Sequence, residues 1–154
     1  MKIRILSREG IEKLAKKEFP TKTAVISITD YGYKHAELEH QPNHLLQLAF
    51  DDVDADVFID QPDMEPLDVE TMYHMLSDEQ ARKIAAFYHE VHDKVEVLIC
   101  QCEHGQSRSA AIAAAMLEYK SRSGIKVFAD DRYYPNKFIF RKVLKALAKE
   151  ERAS

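Results

Sequence analysis

The chain has few of the residues that mark extreme classes of protein. Its 154 residues include only two cysteines, four glycines and five prolines. Two cysteines do not provide the disulfide framework of a small secreted domain, so we expect a reducing compartment. The low glycine and proline content, without internal repeats or low-complexity linkers, excludes a fibrous or low-complexity chain.

Long apolar runs and a strong charge bias are also missing. The apolar stretch at residues 3–6 is short and is interrupted by Arg4, unlike the apolar region of a signal peptide. No segment approaches the ~20 apolar residues of a membrane helix. The net charge of −4 gives no reason to expect nucleic acid or an acidic membrane as the main partner. These absences predict a cytoplasmic protein.

Strands and helices alternate along the rest of the sequence. Hydrophobic residues make up 45% and charged residues 31%, which is typical of a globular domain, and we expect one domain over residues 1–154. The predicted strands cover 2–6, 23–28, 45–50 and 95–100, and the predicted helices cover 8–17, about 77–92, about 109–121 and a segment after Pro135. This order predicts an α/β fold with a mainly parallel central sheet flanked by helices.

One loop between a predicted strand and a predicted helix concentrates reactive residues. It starts with the thiol of Cys102 and continues through Gly105 to Arg108 and the hydroxyl of Ser109. Backbone N–H groups in such a loop face the positive end of the helix dipole, which suits an oxyanion and favours the thiolate form of a cysteine. Gly105 permits a tight loop, and the planar guanidinium of Arg108 can hold two phosphate oxygens. These parts suit attack of a thiolate on a phosphate ester.

The pattern Cys102-x-x-Gly105-x-x-Arg108-Ser109 resembles the signature of the cysteine-dependent protein tyrosine phosphatases, in particular their small dual-specificity-like branch. The order of predicted elements follows that family through the second half of the chain. The resemblance implies hydrolysis of phosphomonoesters through a phosphocysteine on Cys102. It implies that Arg108 binds the phosphoryl oxygens and that Ser109 donates a hydrogen bond to the sulfur. The remaining loop residues, expected to bind substrate, are Glu103, His104, Gly105, Gln106 and Ser107.

The leaving group needs a proton, which the family takes from an aspartate after an earlier strand. Lining up the apolar residues of the third predicted strand places Asp52 at that position, with Asp51 as its neighbour. The distance from Asp52 to Cys102 along the chain is longer than is usual in the family, which indicates an insertion after the strand. Asp60 and Asp63, within that insertion, stay open as alternatives.

Three features near the nucleophile depart from the family or lie outside its pattern. Gln101 precedes the nucleophile where the family usually has histidine, and an amide can replace part of the hydrogen bonding of histidine. Glu103 adds an anion beside the proposed dianion site, and we expect its side chain to point outward. This acidic, lysine-free loop is poorly suited to inositol phospholipids. Cys100 is interpreted as an inert core cysteine, with a redox partner of Cys102 as the alternative.

Two other functions stay open at this point. A thiolate on a similar loop can transfer sulfur in the manner of a rhodanese, or the loop can bind phosphate without turnover. The paired aspartates upstream favour hydrolysis, because sulfur transfer needs no general acid.

No cofactor or metal is expected. Cys100, Cys102 and His104 lack a fourth ligand, and the other histidines show no metal-binding spacing. The expected partner is a phosphorylated protein or a small phosphomonoester rather than nucleic acid or a membrane. The preference between phosphotyrosine and phosphoserine or phosphothreonine is open, as is the oligomeric state.

Overall fold

A computed structural model of the chain describes residues 1–56 and 67–153. The elements are β1 (Lys2–Leu6), α1 (Arg8–Leu14), β2 (Thr23–Thr29), β3 (His44–Ala49), α2 (Val69–His74), α3 (Asp78–Val91), β4 (Val97–Gln101), α4 (Arg108–Ser121), α5 (Ile125–Phe128) and α6 (Lys137–Ala153). None of the helices in the described ranges has the length and apolar character needed to span a bilayer.

The four strands form one sheet in the order β1-β4-β2-β3, and every neighbouring pair is parallel. This arrangement confirms the predicted α/β fold with a parallel sheet. The carboxyl ends of parallel strands lie at one edge, where open α/β sheets bind ligands. The residues that follow β1, β2, β3 and β4 therefore meet at that edge.

Successive side chains of the two central strands, β2 and β4, are buried in two different hydrophobic clusters. Ile26 and Leu98 are buried in the larger cluster, together with residues of α3, α4 and α6. Val25 and Ile99 are buried in a smaller cluster with Ile11 of α1. Because successive side chains of a strand point to opposite faces, helices cover the sheet on both sides, as predicted.

Helix caps explain several boundaries. Ser7 caps α1 by accepting a hydrogen bond from the Gly10 N–H at 3.0 Å, as predicted, but the helix ends at Leu14 rather than at residue 17. Ser77 and Gln80 form the expected reciprocal capping box at the start of α3.

Two short helices were not predicted, whereas the last helix follows Pro135 and Asn136 as expected. Helix α2 lies in the segment where the sequence indicated an insertion, and Asp68 caps it by accepting from the Thr71 N–H at 2.7 Å. Helix α5 has only four residues, too few for a clear hydrophobic period. Helix α6 begins after Asn136, whose side-chain oxygen accepts from the Ile139 N–H at 3.0 Å.

Candidate active site

The loop that contains Cys102 leaves the central strand β4 and is fixed to the junction between β1 and α1. The Cys102 N–H donates to the Leu6 carbonyl at 3.4 Å, and the Arg8 N–H donates to the Glu103 carbonyl at 3.0 Å. Cys102 itself is buried. The loop is thus held on one side by backbone hydrogen bonds from the first strand and helix.

Gly105 sits at the closest approach of the loop to that junction. Its φ is +67°, in the left-handed region, and a Cβ at this position would lie 2.7 Å from the Ser7 nitrogen and 2.8 Å from the Leu6 carbonyl carbon. Both neighbours are backbone atoms, which cannot rotate away. Glycine is therefore required here for conformation and for space.

Six consecutive backbone N–H groups follow the thiol. Within the described part of the chain, no residue accepts a hydrogen bond from the N–H groups of residues 103–108. The next N–H, that of Ser109, donates to the Cys102 Sγ at 3.4 Å. These groups precede and open α4, a 14-residue helix whose dipole presents partial positive charge at this end. The loop therefore has unused donors and a favourable potential for an anion.

The sulfur atom has a second polar neighbour. The Ser109 Oγ lies 3.0 Å from the Cys102 Sγ, and both residues are buried. A hydroxyl at this distance can donate to a thiolate or accept from a thiol. The structure thus places Ser109 at the sulfur, where the sequence resemblance predicted it.

Arg108 begins α4 and points back toward the ends of β2 and β3. Its Nη1 donates to the Phe50 carbonyl at 2.8 Å and lies 2.6 Å from the Asp30 Oδ1. The arginine side chain is only 7% exposed. A cation so deeply buried at the positive end of a helix dipole requires anionic or carbonyl partners.

Asp52 is the candidate acid that contacts the loop. Its Oδ1 accepts from the Ser107 Oγ at 2.9 Å and from the Asn136 Nδ2 at 2.8 Å. Asp51 is turned elsewhere, since its Oδ1 accepts from the Tyr31 N–H at 2.9 Å and its other oxygen faces His74. Of the two neighbours, Asp52 alone bonds to the loop, while Asp60 and Asp63 lie outside the described residues.

Gln101 joins the loop to the neighbouring strand β2. Its Oε1 accepts from the buried Ser27 hydroxyl at 2.5 Å, and its Nε2 donates to the Cys102 carbonyl at 3.0 Å. The amide thus bonds directly to the nucleophile's own carbonyl, as expected of a residue that replaces histidine here.

The remaining loop side chains turn outward. Glu103 lies 3.3 Å from the Arg8 Nη1, which agrees with its expected outward orientation. His104 and Gln106 are exposed, and the Gln106 carbonyl accepts from the Tyr134 N–H at 2.8 Å. These three residues can therefore contribute their backbone N–H groups to an anion, rather than their side chains.

The chain resembles known proteins in structure but not detectably in sequence. No family model matches the chain, and no curated protein matches its sequence. The crystal structure of Tk-PTP in the active form matches with a TM-score of 0.55 and 21% identity, over 97% of this chain and 92% of that one. PTPMT1 in complex with PI(5)P matches with a TM-score of 0.56 and 12% identity, over 99% of this chain and 95% of that one. Human DUSP28 matches with a TM-score of 0.52 and 18% identity, over 99% of this chain and 95% of that one. The chain has the fold of the small dual-specificity phosphatases.

Cys100 occupies the central strand of this phosphatase fold. It is fully buried, and it pairs with Ile5 of β1 and Ile26 of β2. Burial, together with the neighbouring Cys102 thiol, raises the pKa of the Cys100 thiol. A neutral, buried thiol is a poor nucleophile. These properties agree with the interpretation of Cys100 as an inert core cysteine.

Two residues of the site were missed in the sequence. Asp30 follows β2 and reaches Arg108, and Asn136 follows Pro135 and reaches Asp52. Asp30 had a usable signal, because polar residues directly after a buried parallel strand lie at the ligand-binding edge of the dual-specificity phosphatase sheet. Asn136 had none of comparable strength, because its partner is 84 residues away.

Proposed function

We propose that the protein hydrolyses phosphomonoesters through a covalent phosphocysteine on Cys102. The observation that carries this proposal is the run of six N–H groups at residues 103–108, to which residues 1–56 and 67–153 offer no acceptor; it directly follows a buried thiol with a serine at its sulfur. A tetrahedral phosphoryl group can accept from several of these N–H groups at once.

In the first step, the Cys102 thiolate attacks phosphorus and the P–O bond to the leaving group breaks. The leaving oxygen takes the proton of Asp52, which Ser107 and Asn136 hold against the loop. Arg108 and the loop N–H groups stabilise the charge that spreads over the phosphoryl oxygens. The products of this step are the dephosphorylated alcohol or phenol and phosphocysteine.

In the second step, water attacks the phosphocysteine and the P–S bond breaks. Asp52, now ionised, accepts a proton from that water, and inorganic phosphate leaves. The sulfur departs as thiolate, which the Ser109 hydroxyl stabilises by donating a hydrogen bond at 3.0 Å. The enzyme returns to its starting state without a cofactor.

The proposed substrate is a phosphorylated protein, with phosphotyrosine first and phosphoserine or phosphothreonine as further targets. A phosphoinositide is less suitable, although PTPMT1 has been crystallised with PI(5)P. The described site has carboxylates at Asp30, Asp51, Asp52 and Glu103, which repel additional phosphates. We propose a cytoplasmic location, where reducing conditions keep Cys102 as a thiol.

The proposal is tested by turnover of para-nitrophenyl phosphate by the purified protein, with and without vanadate. We expect hydrolysis that vanadate blocks. Rhodanese-like sulfur transfer would instead appear as thiocyanate formation from thiosulfate and cyanide. A binding module would take up phosphate without turnover. Trapping of a phosphorylated Cys102 by rapid acid quench and mass spectrometry distinguishes covalent catalysis from direct attack by water.

A further inference from the structure

The guanidinium of Arg108 is held at one end by the protein itself. Nη1 donates to the Phe50 carbonyl at 2.8 Å and forms an ion pair with the Asp30 Oδ1 at 2.6 Å. Among residues 1–56 and 67–153, none accepts a hydrogen bond from Nε or Nη2 of this arginine. The two oxygens therefore hold Nη1, and no residue of these ranges uses the parallel Nε–H and Nη2–H donors.

The Nε and Nη2 edge of the guanidinium can donate two parallel hydrogen bonds to a phosphoryl group. An arginine with a free Nη1 could rotate and present any pair of its donors. With Nη1 held by the Phe50 carbonyl and the Asp30 carboxylate, the plane and direction of the remaining donors are set before substrate arrives. Fixing a binding group in advance lowers the cost of ordering it in the transition state.

A carboxylate suits this position better than a neutral acceptor. Arg108 is the first residue of α4, where the helix dipole opposes a cation. Asp30, which follows the last residue of β2, supplies the compensating charge. Its side chain is 44% exposed, so solvent screens the ion pair and geometry matters more than raw attraction.

We propose that Asp30 is a positioning residue that aims Arg108 at the phosphoryl group. It does not touch substrate in this assignment and acts only through the guanidinium. The inference rests on the proposed function. The segment after β2, which carries Asp30, also contacts the acid side of the site. Its Tyr31 N–H donates to Asp51, the neighbour of Asp52.

The test measures anion binding separately from turnover. In a Cys102→Ser background, which cannot form phosphocysteine, tungstate affinity is measured by titration calorimetry. We expect Asp30→Ala to weaken binding by about fivefold or more, and Asp30→Asn to stay within about twofold, because an amide oxygen of the same shape can occupy the same place beside Nη1 and the exposed ion pair is screened by solvent. Asp93→Ala, an exposed carboxylate elsewhere on the surface, controls for the change in net charge.

A double-mutant cycle then asks whether Asp30 acts through Arg108. In the Cys102→Ser, Arg108→Lys background, Asp30→Ala should change tungstate affinity by less than about twofold, because the group it positions is gone. Additive losses would overturn the proposal. So would tungstate binding in Asp30→Ala that equals or exceeds that of the parent.

The two proposals fail in different ways. If Arg108→Lys leaves tungstate affinity unchanged, then Arg108 does not bind the anion and the proposed function loses its phosphate clamp. If Arg108→Lys weakens binding but Asp30→Ala does not, only the positioning role is wrong.

In the active enzyme, Asp30→Ala should reduce kcat/KM by about tenfold, with recovery in Asp30→Asn. Thermal unfolding of each variant checks the fold, and the cycle can be repeated with Asp30→Ser if the alanine variant is unstable.

Discussion

The loop after β4 and the segment after β3 differ in how far along the chain their site contacts reach. The sulfur of Cys102 contacts Ser109, which is seven residues away. The carboxyl group of Asp52 contacts Ser107 and Asn136, which are 55 and 84 residues away. The side-chain environment of the Cys102 sulfur is therefore local, although Leu6 and Arg8 fix the backbone of its loop. The side-chain environment of the proposed acid depends on where α6 packs. Changes near the thiol should affect every substrate, and changes around Asp52 should depend on the leaving group.

The largest effect is expected at the thiol. Cys102→Ser should abolish turnover of all phosphomonoesters, because a serine hydroxyl is not ionised at neutral pH and the loop has no second thiol. The fold and anion binding should persist, since the N–H groups of the loop remain. Activity on para-nitrophenyl phosphate, circular dichroism and tungstate titration measure the three properties. Turnover close to that of the parent protein would refute the assignment.

The next effect separates the two regions. Asp52→Asn should slow hydrolysis of phosphotyrosine peptides by about 10²–10⁴-fold, while para-nitrophenyl phosphate, whose leaving group needs less protonation, should lose less. Asp51→Asn serves as the neighbouring control. Unchanged rates on a poor leaving group in Asp52→Asn would move the role to Asp51, Asp60 or Asp63.

A somewhat smaller loss is expected at the phosphate clamp. Arg108→Lys should reduce kcat by about 10²–10³-fold, nearly as much as Arg108→Ala. A lysine ammonium keeps the charge but cannot bond to the Phe50 carbonyl and Asp30 while presenting two parallel donors to phosphate. Steady-state kinetics on one substrate compare the two variants. If the Arg108→Lys variant kept most of the rate, Arg108 would act only through its charge and not by donating two parallel hydrogen bonds.

The smallest effect tests the long-range support of the acid. Asn136→Ser should lower kcat by about tenfold on phosphotyrosine peptides, because the shorter side chain loses the hydrogen bond to Asp52. Serine can still cap α6, so thermal stability should change little. In an Asp52→Asn background the same substitution should have almost no further effect. A full additional tenfold loss there would show that Asn136 acts elsewhere.

The contrast between the two regions also explains what could be predicted from the sequence. The strand, tight glycine, arginine and helix around Cys102 occupy one short segment, so their spacing was sufficient to locate the loop. The parallel sheet was also predictable, because the alternation of strands and helices is visible along the sequence. Helices α2 and α5 were missed because six and four residues show no reliable period.

The residues that complete the site depend on tertiary packing. Asp30 is close to Arg108 only because β2 lies beside β4 in the sheet, an order that the sequence did not specify. The alignment of the third predicted strand favoured Asp52, and Asp51, Asp60 and Asp63 stayed open because no local feature excludes them. The hydrogen bonds from Ser107 and Asn136 distinguish Asp52 from Asp51, and both span more than a third of the chain.

The contact between Gly105 and the backbone of Leu6 and Ser7 has a consequence for the order of folding. Strand β1 is synthesised before the other three strands, yet it pairs with residues 97–101, which are synthesised last among them. The signature loop cannot close around its final shape until that edge strand has docked, because Leu6 and Ser7 form one of its walls. Contacts between such distant segments form slowly. Recovery of activity during refolding should therefore report completion of the sheet edge rather than collapse of the core.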